Sequence, residues 1–160
     1  MLDNSGVRGP GLKHLQGLKK LRRITLFDNQ SGLRFLAPVV SLEEISAAGT
    51  DVSEADLKGV SHIKNLKSLK LPFASVTDEG LAHLAALEKL EYLDLEYTNI
   101  TDKSGPTFAR MKALKGLRIS GTGVTDAIVA DLLKHPHSKT LSVSGISEKA
   151  EEVLRKRGRD

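Results

Sequence analysis

The chain has no cysteine and no tryptophan among its 160 residues. Without cysteine there is no disulfide, no thiolate nucleophile and no sulfur-ligated metal site. That absence fits a reducing compartment. The opening MLDNSGVRG also lacks the basic stretch and apolar core of a signal peptide, so the cytoplasm is the expected location. No run of about 18 apolar residues occurs, so no membrane span is expected. The groupings that carry chemistry are missing too. There is no glycine-rich phosphate loop, and no serine stands in a readable triad pattern. His135 and His137 are two apart, with no cysteine or second ligand pair to complete a metal site. Neither cofactor nor metal nor catalytic residue is expected, and the chain does not read as an enzyme.

What is present is a beat. Leu87, Leu90, Leu93, Leu95, Thr98, Ile100 and Asp102 recur 24 residues later as Met111, Leu114, Leu117, Ile119, Thr122, Val124 and Asp126. The same frame 24 residues earlier holds Ile63, Leu66, Leu69, Leu71, Ala74, Val76 and Asp78. A fixed period of this length marks a solenoid, in which each coil buries its apolar face only against its neighbours. The units open on Leu21, Leu42, Leu66, Leu90 and Leu114, with Ser138 sixth, and read LRRITL, LEEISA, LKSLKL, LEYLDL, LKGLRI and SKTLSV. The second half of each has period 2, which predicts a short strand with one buried face. Strands are expected near 23–27, 44–48, 68–72, 92–96, 116–120 and 140–144, all within one domain of residues 1–160.

After each strand comes a small or polar residue: Asn29, Thr50, Ala74, Thr98 and Thr122. It is expected to turn inward and satisfy backbone groups in the tight loop. Ala74 has no hydroxyl, so its rung should be weaker. A buried aliphatic follows, and then Ser53, Asp78, Asp102 and Asp126. These four precede segments with helical spacing and read as N-caps of short helices. Each coil is then strand, loop, short helix and loop, with parallel strands stacked about 4.8 Å apart.

The pattern TxVTDxGLxxLxxLxxLxxLxL, clearest in ASVTDEGLAHLAALEKLEYLDLEYTNITD, resembles the leucine-rich repeat family. More narrowly, it is similar to the bacterial 24-residue type with a Thr-x-Val-Thr-Asp-x-Gly-Leu signature. The resemblance covers about residues 2 to 143. It implies an α/β leucine-rich-repeat solenoid: a curved right-handed coil with parallel strands on the concave face and short helices on the convex face. It also implies an interaction scaffold without catalysis of its own. Three departures stand out. The first full unit is three residues short between Asn29 and Leu33, so its back should be a tighter turn. Gly105-Pro106 replaces the expected Gly-Leu at a helix start, where proline is tolerated. His135-Pro136-His137 interrupts the approach to the last strand.

Met1-Leu2 reads as a strand stump over residues 1–4, so the chain is expected to enter inside a repeat. Either it belongs to a longer array, or an uncapped edge invites a second copy to form a homo-oligomer. The other end reads as a cap helix over about 148–157, with Ser147 as N-cap, acidic residues early and basic ones late.

In the strand frame, the residues between the buried ones face the concave side. Four of the six aromatics fall on these 24 positions, where uniform placement would put about one. Phe27, Phe73, Tyr92 and Tyr97 stand there beside Arg23, Asp28, Glu44, Lys70, Asp94, Glu96 and Arg118. Exposed aromatics among charges suit a protein-binding hot spot. The other reading is that aromatics favour strands and pack on one another. The charges of this face sum to −1, with Arg23, Lys70 and Arg118 against Asp28, Glu44, Asp94 and Glu96. The surplus lysines that give the chain its net charge of +4 lie on the rim, for example Lys64, Lys89 and Lys112. That distribution argues against nucleic acid as the partner and for a protein or peptide. Self-association through the N-terminal edge, and service as the repeat region of a larger enzyme, are the alternatives.

Overall fold

A computed structural model of the chain describes residues 9–27, 32–138 and 140–156. The strand stump expected at 1–4, together with Asp28, Asn29 and residue 157 of the cap helix, lies outside the described residues. Among the described residues, six parallel strands form one sheet in chain order: β1 (Arg23–Phe27), β2 (Glu44–Ala48), β3 (Ser68–Lys70), β4 (Tyr92–Asp94), β5 (Gly116–Arg118) and β6 (Ser142–Ser144). The backs of the coils are short helices: α1 (Glu54–Val60), α2 (Asp78–Ala82), α3 (Gly105–Arg110), α4 (Val129–Leu132) and α5 (Glu148–Lys156). Among its described residues, the short coil between β1 and β2 carries a tight 3-10 turn, Leu33–Leu36. Its three missing residues leave no length for an α-helix.

The register follows the beat through the middle of the stack. Glu44 pairs with Ser68, Ser68 with Tyr92 and Tyr92 with Gly116. The strands proper are short, yet their ladder continues beyond them. Leu71 N–H donates to Asp94 O at 2.9 Å, and Leu95 N–H to Arg118 O at 2.8 Å. The buried columns Leu66, Leu69 and Leu71, Leu90, Leu93 and Leu95, and Leu114, Leu117 and Ile119 are all at most 1% exposed. Each such side chain contributes about 2 kcal/mol of burial. Phe108 and Met111 fill the leucine positions behind Pro106 and are equally buried.

The last step differs from the beat. Leu117 pairs with Val143, not Leu141, so this coil advances 26 residues. The two extra residues are taken up in the His135–His137 turn. There, His135 Nε2 meets Met111 O at 2.9 Å, and the N–H groups of Thr140 and Leu141 both donate to His137 O. Residues 140 and 141 therefore precede the strand. Burial, followed by the neighbouring His137, holds the His135 imidazole below its ordinary pKa against the opposing Met111 carbonyl.

The small-residue column behaves as its chemistry dictates. Thr98 and Thr122 donate their hydroxyls to Leu95 O and Ile119 O, each at 2.7 Å. Ala74 occupies the same slot and brings no hydroxyl; it is 3% exposed.

The recurring aspartates are not the helix caps. Ser53 caps α1 as expected, but Thr77 caps α2, and Thr101 and Thr125 cap the 3-10 turns Asp102–Ser104 and Asp126–Ile128 that lead into α3 and α4. Each aspartate instead reaches forward to the cap residue of the next coil. Asp78 accepts from Thr101 N–H at 2.9 Å and from its hydroxyl at 2.7 Å. Asp102 holds Thr125 with the same pair of distances. Asp126 takes Ser147 N–H at 2.9 Å and its hydroxyl at 2.6 Å. The carboxylate has two oxygens and the cap residue offers two donors, so each clip is bidentate. It also frees the threonine hydroxyl to accept from its own helix. These clips tie coil to coil on the helix side, as the leucines do in the core.

Candidate functional site

The open face of the sheet carries two ion clusters. Glu44 lies between Arg23 and Lys70, at 3.4 and 3.1 Å. Arg118 reaches Asp94 at 3.4 Å and Glu96 at 2.5 Å. Asp94 is buried and also accepts the Glu96 N–H at 3.1 Å. Hydrogen bonds with Tyr92 and then Glu96, aided by the Asp94 charge, hold the Arg118 guanidinium above its ordinary pKa. Charges paired in this way leave the face nearly neutral. Tyr92 joins the clusters: Lys70 Nζ sits 5.9 Å from its ring centroid. Beyond Tyr92 opens a cavity of about 540 Å³ walled by Tyr92, Arg118, Ser142 and Ser144. Among the described residues, no group of three or more His, Cys, Asp or Glu is placed to hold a metal ion.

The aromatic cluster divides. Tyr92 lies flat over Gly116 of the next coil, where an added Cβ would come within 2.8 Å of its ring. Tyr97 covers Gly121 in the same manner, and a Cβ there would collide with the ring. Phe73 has no glycine ahead of it in that column. It stacks on Tyr97 instead, with centroids 4.6 Å apart and planes 3° from parallel. The packing reading therefore holds for this pair. Phe73 and Tyr97 pack on each other and still remain 63% and 56% exposed. Phe27 ends β1, but its side chain, like Asp28, lies outside the described residues.

Phe73 and Tyr97 are also the two non-glycine residues with positive φ among the described residues, at 60° and 56°. Gly49 and Gly121 occupy the same slot one coil to either side, at 64° and 70°. In the coils of β2 to β5 a left-handed residue at the strand exit lets the chain leave the sheet. Glycine adopts that conformation freely, whereas a residue with a Cβ gives up roughly 1–2 kcal/mol. The ladder pins the strained residues in place: Phe73 N–H donates to Glu96 O and Tyr97 N–H to Ser120 O, each at 2.9 Å. The recurrence of glycine at positions 49 and 121 is the signal by which this slot could have been found in the sequence.

No family model matches the chain, and no curated protein matches it. Solved structures do. An internalin (inlF) from Listeria monocytogenes superimposes with a TM-score of 0.63 at 17% identity, covering 91% of this chain and 48% of that one. An internalin C2 (inlC2) from the same organism gives 0.66 at 20% identity, covering 84% and 55%. The chain thus spans about half the length of these two structures. At such low identity the likeness speaks for the fold. Together with the parallel sheet and its short helical backs, it establishes the architecture as an α/β leucine-rich-repeat solenoid.

Proposed function

We propose that this chain is a noncatalytic scaffold that binds a protein or peptide across the strand face, and that it is one of the bacterial 24-residue repeats. One observation carries the binding reading. Two large aromatic side chains stay exposed at backbone positions where a glycine would fold more easily. Strain retained at an exposed apolar surface is a feature of recognition sites. The paired charges around the rings fit a rim that orients a partner and supplies specificity more than raw affinity.

The test is a selection of random linear peptides displayed on phage against the whole chain. Replacing Phe73, Tyr92 and Tyr97 together with alanine should abolish binding of the selected peptides while the circular dichroism spectrum is retained. Unchanged binding by a folded triple variant refutes the reading.

A further inference from the structure

The cavity beside Tyr92 has its cause in the register. Ser68, Tyr92, Gly116 and Ser142 share one position on successive strands, and Lys70, Asp94, Arg118 and Ser144 share another. A tyrosine ring is thus followed by a glycine and then by serines. This step down in size leaves a hollow of about 540 Å³ against Gly116, a volume in the range of small-molecule sites. Glu91 and Lys115, paired at 3.0 Å, border it before the strands begin. Arg118, held by Asp94 and Glu96, borders it where β5 ends. Ser144 lines it as well, and its Oγ is buried without a hydrogen-bond partner among the described residues.

We infer that this hollow binds a neutral sugar ring of an oligosaccharide. Charge sets the first limit. Arg118 and Lys115 stand against Asp94, Glu96 and Glu91, a net of −1. An acidic ligand gains nothing there, and the two cations in the wall repel a basic one. Hydrogen bonding sets the second limit. Each end of the hollow pairs donors with acceptors, and the Ser142 and Ser144 hydroxyls are both at once. A sugar hydroxyl also donates and accepts, so neighbouring hydroxyls can serve both members of a charge pair. An apolar side chain would leave Ser144 Oγ unpaired. Shape sets the third limit. The half-buried Tyr92 ring offers a flat wall with a negative face, on which the C–H face of a pyranose can lie. The site makes no use of the Phe73–Tyr97 stack, so it goes beyond the peptide reading and does not depend on it.

The test applies the whole chain to an array of neutral, sialylated and sulfated oligosaccharides. Neutral members should bind. Titration with a bound neutral oligosaccharide should shift the amide resonances of Gly116, Ser142 and Ser144. Ser142 is exposed, so Ser142→Phe puts a ring into the hollow from its far wall without disturbing the core. Affinity for the sugar should then fall roughly tenfold or more. Ser144→Ala removes a hydroxyl that is unpaired in the free protein. The denaturation midpoint should hold while affinity falls about fivefold. Replacing Phe73 and Tyr97 with glycine should leave sugar binding unchanged. An array on which no neutral sugar binds overturns the inference, and so does a preference for sialylated or sulfated members. Neutral-sugar binding that survives in a folded Ser142→Phe variant places the sugar elsewhere and overturns it too. Peptides lost on Ser142→Phe, with no sugar bound, would make a peptide the occupant and leave the proposed function standing. Sugar binding with no selected peptide would keep this site and remove the proposed function.

Discussion

The row Asp78, Asp102 and Asp126 and the row Gly49, Phe73, Tyr97 and Gly121 recur at the same 24-residue spacing, at the helix end and the strand end of the same connection. In the aspartate row, the repeated residue makes the repeated contact. Each carboxylate closes the same bidentate clip onto the next coil. In the second row the backbone repeats and the side chain does not. All four residues are left-handed, but two are glycine and two are aromatic. Periodicity therefore carries contacts between coils in the first row, and departure from periodicity leaves two exposed rings in the second; under the proposed function those rings serve recognition. A residue that breaks the beat at a cost to the backbone is a better guide to function than one that keeps it.

The comparison breaks most sharply at Asp78. Its carboxylate serves Thr101 twice and also takes the hydroxyl of Ser104, which is fully buried. Asp78→Ala leaves those donors without partners and should cost about 3 kcal/mol in chemical denaturation. An unaltered midpoint would show that the clips are incidental. The same row sets the response to acid. Burial alone would raise the Asp78 pKa, but the hydrogen bonds from Ser104 and Thr101 outweigh it and hold the carboxyl below its ordinary value. Asp126 is held down by the Ser147 hydroxyl and N–H. A carboxylate with a depressed folded pKa stabilises the protein fully above its unfolded value of about 3.9. That contribution is lost as pH falls from there through the folded value. The denaturation midpoint should therefore fall below about pH 4, and Asp78→Asn should flatten that decline.

The aromatic row should respond in the opposite sense. Replacing Phe73 and Tyr97 together with glycine removes the left-handed strain, roughly 1–2 kcal/mol at each site. It also removes a stacked pair worth about 0.5–1.5 kcal/mol. Stability should stay within about 1 kcal/mol of the native chain or rise, while peptide binding is lost. A destabilisation comparable to that of Asp78→Ala would place the rings with the scaffold instead. The smallest effect belongs to Ala74→Thr. The new hydroxyl would donate to Leu71 O as Thr98 does to Leu95 O, stabilising by about 0.5–1 kcal/mol. A loss would show that this rung is too tightly packed to accept it.

The leucine columns were legible because apolar spacing and burial are linked through geometry alone. Leu66, Leu69 and Leu71 are buried by the pleat and the stacking of coils, with no help from particular partners. The short first coil was legible from its missing residues, since length limits what a loop can form. The aspartates were misread because Asp before a helical segment has two plausible uses. A threonine immediately before it can cap the helix as well, and only the position of the next coil shows which residue is free to do so. The final register slipped for a related reason. The 24-residue beat puts Leu141 opposite Leu117, but the alternation of Leu141 and Val143 keeps one face buried after a slip of two residues, and the His135–His137 turn accompanies the slip that puts Val143 there.

The amino-acid sequence by itself determined that this chain is a stack of coils, where its core lies, and that its aromatics gather on the strand face. Those properties follow from period and polarity, which are written one residue at a time. Only the tertiary structure decided that Asp78, Asp102 and Asp126 join coils rather than cap helices. It likewise decided that Phe73 and Tyr97 stand exposed in left-handed turns. Both depend on distances between residues more than 20 positions apart and on a backbone angle that no single side chain announces.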